Sequence, residues 1–198
     1  MADLTKLDRM FVQQKAKLIE LNNEYKIFDE SGAQVGVCRE EGQTKLKKAL
    51  RLVSNLDSMM THKLSLHDSE GNKVLEFTRP RTLWKSKVEV QDATGQPVGS
   101  IAQKNMLGKI RFDLTGSAGE PLGQIRAENW RAWNFSIVDA SDKEVARITK
   151  KWAGAAKELF TTADNYMVEI DPDVPGSLRM LILASAAGID TALKQSDK

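Results

Sequence analysis

A short unit recurs along this chain and constrains the fold more than any other feature. It is an alternating apolar strand, a turn rich in aspartate or glycine, and a second strand. It reads Tyr25-Lys-Ile-Phe-Asp29 with Gly32 and Val35-Gly36, then Leu64-Ser-Leu-His-Asp68 with Gly71, then Val88-Glu-Val-Gln-Asp92 with Gly95 and Val98-Gly99. It continues as Ile110-Arg-Phe-Asp-Leu114 with Gly119 and Leu122-Gly123, and as Phe135-Ser-Ile-Val-Asp139 with Asp142 in place of the glycine. A degenerate copy runs from Leu159 through Asp164-Asn165 to Ile170.

Each unit has the physics of a β-hairpin. Period-two alternation sends one face inward and the other outward. An aspartate hydrogen-bonds the backbone that follows it, and glycine supplies the positive φ of a tight reversal. Asp68 and Asp92 are 24 residues apart, as are Asp92 and Gly116, a period too short for a propeller blade. Consecutive hairpins form a meander that removes its edges by closing on itself. Six units give about twelve strands, and a barrel of that size encloses a lumen that must be filled.

The end of the sequence supplies the filling. From Leu178 to Leu193 apolar residues occupy nearly every face of a helix, and Ala184, Ser185, Ala186, Ala187 and Gly188 keep it thin. A helix apolar all round belongs in a core or a bilayer, and this one is short of the roughly 20 residues that span a membrane. The expected fold is therefore mainly β: a closed antiparallel barrel of about twelve strands around a hydrophobic C-terminal helix over residues 176–194. One domain covers residues 1–198. A second helix is expected at residues 44–60, where Leu46, Ala49, Leu50, Val53, Leu56 and Met60 recur at helical spacing behind Lys45, Lys47, Lys48 and Arg51. It reads either as a cap on one barrel end or as a basic amphipathic helix on an anionic membrane.

Composition removes several classes of function. A net charge of +2 gives no global field for nucleic acid, so no nucleic-acid partner is expected. Cys38 is the single cysteine, which rules out an intramolecular disulfide and a cysteine-rich metal site. His62 and His67, five residues apart, fall on opposite faces of a strand. There is no Gly-x-Ser-x-Gly turn, no phosphate-cradling glycine loop and no histidine-centred triad, so no catalytic residue is assigned and the chain is not expected to be an enzyme. The polar opening, Met-Ala-Asp-Leu-Thr-Lys, lacks the apolar stretch of a secretory signal; a cytoplasmic protein, peripheral at the membrane if it meets one, is expected.

Four further stretches point to a family. Ala146-Arg-Ile-Thr-Lys-Lys-Trp-Ala-Gly154 and Glu158-Leu-Phe-Thr-Thr-Ala-Asp-Asn-Tyr166 resemble the C-terminal signature of phospholipid scramblases. Phe77-Thr-Arg-Pro-Arg81 resembles the family's Glu-Arg-Pro turn, and Asp92-Ala-Thr-Gly-Gln-Pro-Val-Gly99 its Gly-x-Pro-φ-Gly hairpin. The resemblance covers roughly residues 20–194 and extends to the plant LURP-one-related proteins. It implies the tubby C-terminal-like fold, twelve strands around a central helix, which the repeat reached independently. It also implies phospholipid as a partner, and calcium for the animal members. The animal proteins' cysteine cluster and proline-rich extension are missing here.

The residues offer two candidate sites. Arg79, Arg81 and Lys85 flank Trp84, while Arg147, Lys150 and Lys151 precede Trp152. Tryptophan beside cations suits the headgroup layer of an anionic membrane, and equally suits ordinary packing of cations over aromatic faces. For calcium, Asp164 and Asp173 match later acidic positions of the scramblase loop, with Glu169 and Asp171 nearby, but Thr162 stands at its opening acid and Met167 where an EF-hand bends at glycine. These carboxylates read first as hairpin turns, and no cofactor is expected. The leading function is non-enzymatic binding of phospholipid headgroups or an anionic membrane surface. Lipid translocation between leaflets, or a protein-interaction module without a lipid role, are the alternatives.

Overall fold

A computed structural model describes residues 3–14, 24–41, 62–79, 87–104, 110–129, 134–150 and 165–193. Twelve strands follow a 3-10 turn at Leu4–Lys6: β1 (Arg9–Gln14), β2 (Glu24–Phe28), β3 (Gln34–Glu40), β4 (His62–Asp68), β5 (Lys73–Arg79), β6 (Lys87–Asp92), β7 (Pro97–Gln103), β8 (Arg111–Gly116), β9 (Pro121–Asn129), β10 (Asn134–Asp139), β11 (Glu144–Thr149) and β12 (Asn165–Ile170). Each pairs antiparallel with the next, and β1 pairs with β12 to close the barrel. Helix α1 (Gly176–Leu193) follows. The expected barrel is the observed one. The expected helix at residues 44–60 falls outside the described residues.

The repeat works as its chemistry requires. In the β2–β3 turn the Asp29 amide donates to the Ala33 carbonyl at 3.0 Å and the Gly32 amide to the Asp29 carbonyl at 3.1 Å. Asp29 Oδ1 accepts from the amides of Ser31 at 2.9 Å and Ala33 at 3.0 Å. Asp68, Asp92 and Asp139 repeat the pattern. The position three residues on takes positive φ: glycine in four turns, and Asp142, at 70°, in the fifth.

The β8–β9 turn solves the same problem differently. Gly116 replaces the aspartate, and the Glu120 carboxylate folds back to accept from the Ala118 amide at 3.0 Å. A Cβ at Gly116 would sit 1.9 Å from Glu120 Oε1. The turn therefore keeps its carboxylate by drawing it from four residues downstream.

Each of these hairpins carries a register shift on its first strand just before the turn. The second glycine of the repeat serves the neighbouring strand. A Cβ on Gly99 or Gly123 would come within 2.2 Å of the carbonyl oxygen of Thr115 or Val138. Only glycine allows that approach.

Alternate residues of every strand line the lumen, among them Val12, Ile27, Leu64, Phe77, Val90, Leu114, Ile125, Ile137 and Val168. They pack on α1, whose residues from Leu178 to Ala186 are buried except for half-buried Met180. Leu181, Ile182 and Ala184 are fully buried, and each large aliphatic side chain so placed contributes about 1.5–3 kcal/mol. Tyr166, inward on β12, donates its hydroxyl hydrogen bond to the Ala186 carbonyl. Cys38 is fully buried in the same core, and burial, then the neighbouring Glu40 charge, pushes its thiol pKa far up.

One charge enters the lumen with the helix. Arg179 donates to the carbonyls of Thr5 at 2.7 Å, Leu7 at 2.7 Å and Asp171 at 3.3 Å, and pairs with Asp8 Oδ1 at 2.6 Å. It thereby binds the helix, the segment before β1 and the segment after β12 at one mouth of the barrel. Leu4, 1% exposed, closes that mouth with an apolar side chain.

Candidate functional site

The barrel has two chemically different ends. At one end lie the five tight hairpin turns, the segment before β1 and the link from β12 to α1. In sequence, these stretches (residues 3–8, 29–33, 68–72, 92–96, 116–120, 139–143 and 171–175) hold twelve acids against two lysines, Lys6 and Lys143. The strands meet the other end through residues 15–23, 42–61, 80–86, 105–109, 130–133 and 151–164. Those six connections hold twelve lysines and arginines against four acids, together with all four tryptophans, Trp84, Trp130, Trp133 and Trp152. In sequence, the near-neutral net charge divides unevenly between the two sets of connections.

Five aspartates of the acidic end are held toward the ionised form. The Thr94 hydroxyl, followed by the Gln96 amide, keeps Asp92 below the usual carboxylate range. Asn72 does the same for Asp68, the Ser141 hydroxyl for Asp139 and the Thr5 hydroxyl for Asp3. At Asp29, burial works the other way and is outweighed by hydrogen bonds from Ser31 and the following amides.

The headgroup candidates divide into three groups. Arg81, Trp84, Lys85, Lys151 and Trp152 lie outside the described residues. The strand ends that flank them, Arg79 and Lys87, and Thr149 and Asn165, all lie at the basic end. In the strand order the β5–β6 and β11–β12 junctions fall on opposite sides of the barrel. Lys150 follows β11 at that rim and is half-buried.

Arg79 and Arg147 are placed differently from each other. Arg79 follows Leu75 and Phe77 on the lumen-facing alternation of β5 and is 6% exposed. Arg147 lies on the outer wall and is engaged within it, Nη2 to Glu144 Oε2 at 2.8 Å, Nε to Glu144 Oε1 at 2.8 Å and Nη1 to Asn134 at 2.9 Å.

The calcium candidates do not converge. Asn165, which follows Asp164, and Asp171 lie at opposite ends of β12, separated by about 20 Å at strand rise, whereas calcium ligands sit within about 2.6 Å of their ion. Glu169 is bound by Arg9, Nη2 to Oε1 at 2.9 Å. Asp171 accepts from the Asp173 amide at 3.0 Å and pairs with Lys143 at 2.9 Å; those two contacts, in that order, lower its pKa. Asp173 is exposed. Among the described residues no three His, Cys, Asp or Glu side chains group as metal ligands.

The outer wall is polar around much of the barrel: Lys63, Glu76, Glu89, Asp113, Gln124 and Arg126 face outward on β4 to β9. Glu76 is held by Lys63 at 2.7 Å and Lys73 at 2.8 Å. Apolar outward contacts concentrate at Phe11, Phe28 and Met167 on β1, β2 and β12. A transmembrane barrel carries a continuous apolar outer band; among the described residues of β4 to β9 these outward positions are polar. No helix among the described residues is long and apolar enough to cross a membrane.

A closed twelve-stranded antiparallel barrel with its own C-terminal helix packed in the lumen defines the class of this protein. A family model described as Scramblase matches residues 1–193, and the chain belongs to that family. No curated protein matches it.

Proposed function

We propose that this protein is a non-enzymatic, peripheral lipid-binding module whose basic, tryptophan-bearing end lies on an anionic phospholipid surface. The observation that carries the reading is the segregation of charge and tryptophan: every tryptophan, and an excess of eight positive charges, fall in the connections of a single end. A rim of cations suits a plane of phosphates better than it suits a single small ligand. Each Lys or Arg near such a surface contributes about 1 kcal/mol, within a range set by a Debye length of about 8 Å. The acidic end then points away from the membrane, where repulsion orients the molecule. Arg81, Lys85, Lys151, Trp84 and Trp152 are the residues assigned to headgroup contact, with Lys150 beside them.

Family membership favours phospholipid as the partner. The buried α1 and the charged outer wall favour attachment over passage through the bilayer, so translocation between leaflets is the second reading, to be measured as loss of asymmetry in reconstituted vesicles. Flotation with neutral and anionic liposomes tests the first. Recovery with anionic vesicles only, declining with salt, is expected. Equal recovery with both vesicle types, or with neither, refutes it.

A further inference from the structure

A groove of about 460 Å³ opens at the acidic end between the Leu4–Lys6 turn, the β4–β5 and β6–β7 turns and α1. Its floor includes Val74 and Met180, half-buried apolar side chains packed against the core. Met180 is the one residue from Leu178 to Ala186 that is not buried. Its rim carries Asp3, Asp68, Glu70 and Asp92 from three separate segments. Lys73, also at the groove, is committed to Glu76 at 2.8 Å.

We infer that this groove docks a cationic, amphipathic peptide segment of a partner protein. The rim acids stand on separate turns and do not meet at one point, which disfavours a single metal ion and suits charges spaced along a chain. Asp68 Oδ1 and Asp92 Oδ1 are tied to their own turn amides at 2.8–2.9 Å, so the rim is preorganised and loses little freedom on binding. An apolar floor below an acidic rim matches Lys and Arg, whose stems lie on apolar surface while their heads meet carboxylates. Methionine adapts to varied partners. The inference goes beyond lipid binding and uses the opposite end, so groove and membrane can be occupied together.

The test uses the full chain and a fluorescein-labelled synthetic peptide with Lys and Leu at helical spacing. A Glu/Leu peptide of the same pattern is the control. Fluorescence anisotropy should report binding of the Lys/Leu peptide alone. Glu70→Lys, at the rim, and Val74→Lys, at the floor, should each weaken it about tenfold or more, with thermal melting confirming that both variants fold. Asp173→Lys, at the same end but outside the groove, should change it little, and protein bound to anionic vesicles should still bind the peptide. The inference is overturned if Asp173→Lys acts as strongly as Glu70→Lys, or if both peptides bind alike. It also fails if sedimentation shows the wild type self-associating in a way that Glu70→Lys abolishes, which would give the groove to a second copy of this chain.

Discussion

The two ends of the barrel are built from different sequence material, and the contrast separates stability from function. The acidic end is repetitive: one turn design recurs five times, four with the aspartate in place and one with Glu120 substituting for it. Each turn aspartate commits one carboxylate oxygen to its own backbone, and the mouth is locked by Arg179. The basic end has no such repeat. Its connections differ in length; each carries at least one lysine or arginine, and three of the six carry tryptophan. Ends that hold the fold tend toward uniform local chemistry, whereas binding surfaces tend to lie on variable connections above a rigid scaffold.

Four changes should break or sharpen this contrast. Arg179→Ala leaves up to three backbone carbonyls and Asp8 without their donor, at about 1–3 kcal/mol for each buried group left unsatisfied. The expected loss is about 4 kcal/mol in denaturant unfolding, with lipid affinity of the folded fraction unchanged. At the basic end, Arg81→Gln, Lys85→Gln and Lys151→Gln together should cost about 3 kcal/mol of membrane affinity, roughly a hundredfold, with little change in melting temperature. Loss of stability from the triple variant, or of lipid affinity from Arg179→Ala, would erase the division between the ends.

Acid titration addresses the turns. Asp68, Asp92 and Asp139 have folded pKa values below their ordinary 3.8. Their contribution to stability is therefore present above that value and lost as pH falls through the folded values. Stability measured by urea unfolding should hold down to about pH 5 and then decline, and replacing these aspartates with asparagine should flatten the decline. The smallest effect is expected at Asp142→Gly. Glycine relieves the positive φ, at about 1 kcal/mol, but gives up an exposed ion pair with Arg126 that contributes less than that. A net gain of about 0.5 kcal/mol is expected by thermal melting.

Much of the fold was legible because hairpin chemistry is local. Asp29, Asp68, Asp92 and Asp139 announce their turns within five residues, and the all-round apolar tail leaves the lumen as its place. The anchoring by Arg179 was not legible, since its partners Thr5, Leu7 and Asp8 are more than 170 residues away in sequence. Glu120 was hidden for a local reason: its carboxylate acts at a position not its own. Within the candidate site, the tryptophans and cations could be read as clusters, but not that their connections share one end. That follows from strand count and closure. The inward place of Arg79 was not legible either: Phe77-Thr-Arg-Pro resembles a turn, while the strand's alternation carries Arg79 inward. The acids of the calcium motif read first as turn chemistry, and Asp171 does accept from the Asp173 amide in the turn after β12.

The central claim is that one end meets the membrane and the other does not, and the protein carries its own probe for it. All four tryptophans belong to the basic end, so intrinsic fluorescence should be quenched when the chain binds anionic vesicles whose acyl chains are brominated near the headgroup. Strong quenching that vanishes at high salt is the expected result. Protein that floats with those vesicles while its tryptophan emission stays unquenched would contradict the account.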